Sequence, residues 1–213
     1  MTNDDHEYIK LLLEKDLIKS TCLEVGSAED WCSLVPTLNN KGIRAMGSDL
    51  SPGKYVDHII DFESDINDIR LIIQDDSPFK TILCLNVLEH TFNPILILDN
   101  LIQLLDTGGK LVLIAPVSWP LHGYPIDCWR LMPDFYTKYA QLRNLTIDKD
   151  LFKYLGFGPV DSYRSPQSSG FPLPLRKGLY FYYSKLIHKI FNTNGRKHLF
   201  SNHIAIGLVM TKN

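Results

Sequence analysis

The chain has 213 residues, of which 45% are hydrophobic and 22% charged, and its formal net charge is −2. This is the composition of a soluble globular protein, and the length suits one domain that can bury a real core. No uninterrupted apolar run is long enough to span a bilayer, which excludes a membrane-spanning chain. Residues 1–5 lack the basic-then-apolar pattern of a signal peptide, so we expect a cytoplasmic protein.

The predicted elements alternate between helices and buried strands. Helices are predicted at 4–18, 29–38, 66–73, 94–105 and 133–142, and strands at 21–25, 43–48, 56–60, 79–85 and 110–115. Further along we predict an element closing at 151–158, a strand at 160–164, a Pro/Ser/Gly linker at 165–174, a helix at 175–191 and a terminal strand at 203–211. The alternation predicts a parallel sheet flanked by helices.

The cysteines agree with a reducing compartment. Cys22, Cys32, Cys84 and Cys128 form no C-x-x-C pair and lack the spacing of metal ligands. Cys22 and Cys84 fall within predicted buried strands. We therefore expect reduced cysteines, the first two of them in the core, and no metal site.

The clearest functional signal follows the strand at 79–85. That strand ends at three polar residues, Asn86, Glu89 and His90. Open α/β sheets bind their ligands at the carboxyl ends of central parallel strands. We therefore expect the ligand site at this edge of the sheet.

The turn after the first strand begins with Gly26. A glycine there would let a ligand approach the backbone closely, although a purely structural tight turn explains it equally well. Glu29 and Asp30 are predicted in the first turn of the following helix, where they would repel a pyrophosphate. They favour a ligand without phosphates, or one that carries positive charge.

Two aspartates end the next two strands. Asp49 is placed to accept hydrogen bonds from both hydroxyls of a ribose, with a solvated turn residue as the alternative. Asp61 would accept a hydrogen bond from an adenine amino group or would cap the next helix.

These motifs together resemble the class I S-adenosylmethionine-dependent methyltransferase family. The resemblance rests on Glu24-Val25-Gly26, Asp49, Asp61-Phe62, Asn86-Val87-Leu88-Glu89-His90 and Leu105-x-x-Gly108-Gly109, and it covers most of the chain. It implies an α/β fold with a Rossmann-like, doubly wound seven-stranded sheet. That sheet would be mostly parallel, with an antiparallel last strand at 203–211 and helices on both faces.

The resemblance also implies S-adenosyl-L-methionine as the cofactor and assigns roles by position. Glu24 and the turn after it would face the methionine end, Asp49 would hold the ribose, and Asn86 would lie beside the sulfonium. The implied cofactor-binding residues are Glu24, Gly26, Ser27, Asp49, Leu50, Asp61, Phe62 and Asn86. Where the family usually has three glycines, this chain has Gly26, Ala28 and Asp30.

The loop after the strand at 110–115 would overhang the same edge and contact the acceptor. The expected substrate-binding residues are His122, Tyr124, Asp127, Trp129 and Arg130. An oxygen acceptor can need a general base, for which His122 is the first candidate and His90 the second. The alternatives are a rigid loop with a structural Asp127–Arg130 pair, and a His90 that packs locally.

The last 52 residues contain eight Lys or Arg, whereas residues 1–161 carry all 24 acids. We predict a basic, aromatic insertion at 165–200. It would be a lid over an anionic acceptor, an interfacial helix at 175–191 that contacts anionic lipid, or a helix packed on the sheet. Nucleic acid is not an expected partner, because no recognisable binding module accompanies the basic residues.

We therefore expect one domain, 1–213, that transfers a methyl group to a small-molecule or glycan/lipid-linked acceptor, at oxygen. One alternative is a catalytically silent methyltransferase-like binding domain, which Asp30 favours. The other is a nicotinamide-dependent oxidoreductase, against which Glu29 and Asp30 argue.

Overall fold

The computed structural model describes residues 1–123, 126–157 and 203–213. The predicted strand at 160–164, the linker at 165–174, the helix at 175–191 and Tyr124 lie outside the described residues. No helix in the described part of the chain is both long and apolar enough to cross a bilayer.

The described part contains five α-helices, three short 3₁₀ helices and eight strands. The helices are α1 (Asn3–Glu14), α2 (Val35–Asn40), α3 (Ile66–Ile73), α4 (Pro94–Leu104) and α5 (Pro133–Leu142). The strands are β1 (Cys22–Val25), β2 (Ala45–Asp49), β3 (His58–Ile59), β4 (Phe79–Leu85), β5 (Leu105–Ser118), β6 (Leu145–Ile147), β7 (Lys153–Phe157) and β8 (His203–Lys212). Most of the predicted elements are confirmed, within a few residues at their ends.

The strands form one sheet in the order β3-β2-β1-β4-β5-β8-β6, with β7 also paired to β8. Strands β1 to β5 are parallel, and β8 runs antiparallel to β5. Short strands β6 and β7 pair with successive parts of the other edge of β8, so together they fill one outer position. The predicted Rossmann-like sheet with an antiparallel last strand is confirmed.

Helices cover both faces of this sheet. One apolar cluster contains side chains of α3, α4 and α5, and a second contains side chains of α1 and α2. Strand β4 contributes to both because its side chains alternate: Ile82 and Cys84 lie in the first cluster, and Leu83 and Leu85 in the second. Cys22 and Cys84 are fully buried and free, as expected.

The prediction for the second helix was wrong. Helix α2 begins at Val35, whereas the sequence pattern suggested a helix at 29–38. Pro36 explains the difference, because proline is tolerated in the first turn of a helix but breaks its interior. Residues 29–34 therefore form the loop that leads from β1 into the helix.

Candidate functional site

A cleft of about 770 Å³ opens at the carboxyl ends of the parallel strands. It lies between β1 and β4. Strands β2 and β3 extend the sheet on one side of β1, and β4 and β5 extend it on the other. Open α/β sheets bind ligands at such a reversal of strand order. Seven of the eight predicted cofactor residues line it: Glu24, Gly26, Asp49, Leu50, Asp61, Phe62 and Asn86. The residues predicted to bind the cofactor therefore lie together on one cleft, and their role in binding it stays a prediction.

Ser27, the eighth, does not line the cleft. Its side chain is fully buried, and its hydroxyl donates to the carbonyl oxygens of Ser48 and Tyr55 at 3.3 and 3.2 Å. Ser27 therefore ties the turn after β1 to β2 and to the segment before β3.

Gly26 begins that turn in the left-handed region, with φ +85°. Its amide donates to the carbonyl oxygen of Ser48 at 2.8 Å, and a Cβ at this position would lie only 2.8 Å from Val87 Cγ2. Both the backbone conformation and the space therefore require glycine. The turn keeps the backbone of β1 close to the residue that follows Asn86.

The Glu24 carboxylate shapes the wall of the cleft. It accepts hydrogen bonds from the Ser33 hydroxyl at 2.7 Å and from the amides of Leu34 and Val35. Burial raises the pKa of Glu24, and these hydrogen bonds partly oppose that effect. Glu24 thereby anchors the loop at 29–34 while it lines the cleft.

Asp49 is held by backbone amides at the end of β2. Its Oδ2 accepts from the amide of Ala28 at 3.0 Å, and its Oδ1 accepts from the amide of Ser51 at 3.1 Å. These bonds fix the carboxylate at the cleft wall. Asp61 does not cap the next helix, because Asp65 is the N-cap of α3.

The cleft is strongly acidic. Its described lining includes no Lys or Arg and seven acids: Asp5, Glu24, Glu29, Asp49, Asp61, Glu63 and Glu89. Glu29 and Asp30 were expected to repel a pyrophosphate from the first turn of a helix, but both residues precede α2. The expectation of a ligand without phosphates is supported instead by the acidic lining. Such a surface attracts a cation and repels a pyrophosphate.

Asp5 is a site residue that sequence reasoning missed. It is only 1% exposed, and its Oδ2 accepts from the Asn86 side-chain amide at 3.2 Å and from the Thr2 backbone amide at 2.7 Å. Its Oδ1 has no hydrogen-bond partner among the described residues. Thr2 and Asp5 form the capping box at the N-terminus of α1. The N-terminus of this helix therefore places the Asp5 carboxylate against Asn86.

Asn86 itself has φ +55°, a left-handed conformation that asparagine adopts more readily than most residues. Its backbone amide donates to the carbonyl oxygen of Ile114 in β5 at 2.8 Å. Asn86 is thus held at the end of β4 by a backbone contact with β5 and a side-chain contact with α1.

The predicted acceptor loop does reach this edge. The amide of Cys128 donates to the Glu89 carbonyl oxygen at 2.7 Å, and His90 Nδ1 lies 2.6 Å from the carbonyl oxygen of Ile126. The rings of His90 and His122 meet edge to face, with centroids 4.8 Å apart. Residues that are distant in sequence therefore form one cluster of Glu89, His90 and His122 on the cleft lining.

Glu89 is the buried member of this cluster. It is 2% exposed, and its Oε2 has no hydrogen-bond partner among the described residues. Burial raises the pKa of Glu89 to about 7, and burial also lowers the pKa of His90. One potential metal-ligand atom from each of Glu89, His90 and His122 lies within 4.8 Å of the other two.

Asp127 and Arg130 form the structural pair that was the alternative for this loop. Arg130 donates two hydrogen bonds to the Asp127 carboxylate, and Asp127 Oδ2 also accepts from the His122 amide at 2.9 Å. The Arg130 hydrogen bonds hold the pKa of Asp127 well below its usual range. Neither residue lines the cleft, and neither does Trp129, whose ring nitrogen donates to the Phe92 carbonyl oxygen at 3.3 Å.

Comparison with known proteins agrees with this geometry. Residues 6–157 match the model of a methyltransferase domain family, and no curated protein matches the chain significantly. A SAM-dependent methyltransferase from Archaeoglobus fulgidus is similar in structure, with a TM-score of 0.57 and 12% identity over 99% of this chain and 95% of that one.

Two further structures contain S-adenosylhomocysteine. The magnesium protoporphyrin IX methyltransferase of Synechocystis has a TM-score of 0.52 and 13% identity, over 99% of this chain and 82% of that one. Coclaurine N-methyltransferase, bound to N-methylheliamine, has a TM-score of 0.57 and 11% identity, over 98% and 72%. At these identities the likeness shows the fold, while the family match covers more than half of the chain. The chain therefore belongs to the class I S-adenosylmethionine-dependent methyltransferase family.

Proposed function

We propose that this methyltransferase acts at a hydroxyl oxygen of a small-molecule or glycan/lipid-linked acceptor. The observation that carries the proposal is the cluster of Glu89, His90 and His122 beside Asn86 at the cleft edge. A hydroxyl is a weak nucleophile until it loses its proton, whereas a free amine needs no such help. A cluster of proton-accepting groups at the acceptor side therefore favours oxygen.

The cleft fits the cofactor that this family uses. S-adenosylmethionine has no phosphate and carries a positive sulfur, and the described lining is acidic. In this proposal Asp49 accepts from the ribose hydroxyls, the Gly26 turn admits the methionine end, and Asn86 lies beside the sulfonium. The cofactor supplies an activated methyl group, so the chain has to align the acceptor and exclude water.

Asp30 no longer favours a silent binding domain. Its side chain is exposed and is not part of the cleft lining, so it leaves the cofactor position clear. The departure from the family's glycine pattern thus falls on a residue outside the cleft.

The entrance suits an acceptor with apolar or ring-shaped groups. Trp31 and Leu50 on the lining are 73% and 62% exposed, and Trp119 and His122 also line the cleft. Aromatic rings offer flat apolar surface with a polar edge, which suits the faces of sugars and other ring systems. Of the three alternatives for the predicted insertion at 165–200, this proposal takes the lid over the acceptor, and deletion of 171–198 should then weaken acceptor binding while sparing the cofactor.

The experiment has two stages. Calorimetry should detect S-adenosylmethionine binding to the native chain and at least about tenfold weaker binding to Asp49→Ala, since hydrogen bonds to a charged group contribute about 1.5–3 kcal/mol. Asp106→Asn, a change outside the cleft lining, is the control and should bind normally. A panel of sugars, lipid-linked glycans, phenols and amines should then give a mass shift of one methyl group on hydroxyl compounds. Transfer to amines or carbon alone would refute the oxygen proposal, and absence of cofactor binding would refute the enzyme itself.

A further inference from the structure

We propose that Glu89, His90 and His122 form a binding site for a divalent transition-metal ion such as Zn²⁺, which holds and activates the acceptor hydroxyl. The inference rests on the proposed function and names the means by which that hydroxyl loses its proton. One carboxylate and two imidazoles, with a further position open for substrate, form a common ligand set of catalytic zinc. The ligand atoms already lie within 4.8 Å of one another.

The ring orientation of both histidines suits metal binding. A carbonyl oxygen can only accept a hydrogen bond, so His90 Nδ1, 2.6 Å from the Ile126 carbonyl oxygen, must carry the proton. His122 Nδ1 likewise lies 3.1 Å from the Pro120 carbonyl oxygen, and 3.3 Å from Asp127 Oδ2. In the neutral rings the lone pair is then on Nε2. Histidine ligands of metals are typically oriented in this way, by a hydrogen bond from the other ring nitrogen.

Glu89 supplies the charge. Glu89 is 2% exposed and is one of the residues that line the cleft, and its Oε2 has no hydrogen-bond partner among the described residues. A buried carboxylate oxygen without a hydrogen bond is costly unless a donor or a cation binds it. The other oxygen, Oε1, lies 3.8 Å from His90 Nε2, so a metal between them would contact both side chains.

The cleft lining adds negative charge. Its described residues include seven acids, among them Asp5 and Glu89, and no Lys or Arg. Arg130 also acts on the Glu89 carboxylate, but it is paired with Asp127. A cation at this edge of the cleft is therefore favoured by the acidic lining.

Metal binding requires only a local movement. Zinc bonds of about 2.0–2.2 Å place ligand atoms roughly 3.3 Å apart in a tetrahedron. The ligand atoms, which now lie within 4.8 Å of one another, therefore have to approach by about 1.5 Å at most.

The ion would act on the acceptor without redox chemistry. A hydroxyl bound at the open position has a lowered pKa, so its proton passes to water and the oxygen keeps the electron pair that forms the new O–C bond. The sulfonium S–C bond breaks and its electron pair stays on sulfur. Charge and atoms balance, with one proton released for each methyl group transferred.

The test uses the full chain, stripped with a chelator and titrated with Co²⁺ alone. We expect stoichiometric binding with a visible spectrum of nitrogen and oxygen ligands, and displacement by Zn²⁺. His122→Ala and Glu89→Gln should each weaken Co²⁺ binding by at least about tenfold, since even indirect changes around metal sites cost 10–100-fold. His6→Ala removes an exposed histidine of α1 and should change affinity less than twofold.

Each outcome is decisive. S-adenosylmethionine calorimetry on the same variants shows whether they are folded, and His122→Ala, a change in an exposed loop, should bind the cofactor normally. Cofactor binding without Co²⁺ binding would overturn the metal site and leave the proposed function intact. Co²⁺ binding that survives both substitutions, or a thiolate charge-transfer band from Cys128 or Cys32, would also overturn it.

Discussion

The Gly26 turn allows a quantitative test of how the cleft is built. In Gly26→Ala, the new Cβ would lie 2.8 Å from Val87 Cγ2, a separation that real Cβ atoms essentially never show. The substitution also forces a non-glycine residue to φ +85°. The backbone cost is about 1–2 kcal/mol, and a forced contact in a packed region adds about 1–3 kcal/mol.

Two other glycines separate these contributions. Gly42 and Gly108 have φ +80° and +74°, and a Cβ at either position meets nothing within 4 Å. Gly42→Ala and Gly108→Ala should therefore show the backbone cost alone, a fall in Tm of roughly 2–8 °C. Gly26→Ala should lose about 2–5 kcal/mol and bind S-adenosylmethionine at least about tenfold more weakly, while both controls bind it normally.

A double-mutant cycle with Val87→Ala completes the test. In that background the steric contact is absent, so Gly26→Ala should cost only as much as Gly108→Ala. Thermal unfolding measures the stability term, and calorimetry measures cofactor affinity. Zero coupling between the two positions, together with unchanged affinity in Gly26→Ala, would refute this account of the turn.

Three further changes probe other parts of the fold. Tyr8→Phe removes a buried hydrogen bond of 2.9 Å to the Leu151 carbonyl oxygen, and should lower the unfolding free energy by about 0.5–1.5 kcal/mol in denaturant titration. Asn100→Ala leaves two carbonyl oxygens of the segment after β3 without their donor, so a loss of at least about 1–3 kcal/mol is expected by the same method. Burial tends to raise the pKa of Asp99, but its hydrogen bonds, led by that from Arg143, lower the pKa overall. Asp99 therefore stabilises the folded state fully above its unfolded pKa, and this stabilisation is lost as the pH falls through its folded pKa. Acid titration of Tm should therefore show a smaller acid-side loss in Asp99→Asn than in the native chain, and parallel curves would contradict this.

The sequence predicted the sheet well because buried parallel strands and their helices produce strong periodic patterns. Helices α3 and α5 and strand β4 were predicted to the residue. The edge strand β6 was missed, because Leu145–Ile147 is three residues long and pairs only with distant β8. Strand β3 was predicted too long, since only two of its residues pair with β2.

The part of the cleft at the strand ends was predictable for a similar reason: its residues lie at the ends of strands or just after them. The loop after β5 was predicted to reach the same edge, but the contact of His122 with His90 was not. That contact depends on the hydrogen bond from the Cys128 amide to Glu89 and on the Asp127–Arg130 pair, which join residues far apart in the sequence. Asp5 had a sequence signal, the capping box with Thr2, but that signal indicates a helix start and says nothing of Asn86.

The position of β8 has a consequence for how the sheet is assembled. This strand lies between β5 and the β6–β7 edge, yet it follows β7 only after the stretch from 157 to 203. Until β8 is added, one edge of β5 has no partner strand, although most residues of β5 are buried in the finished sheet. Strands β6 and β7 also lack their partner strand until then. Such non-local pairing slows folding and leaves an edge that can pair with other chains. During synthesis the sheet therefore remains incomplete until β8 is made, and over that interval β5 presents an unpaired edge to other chains.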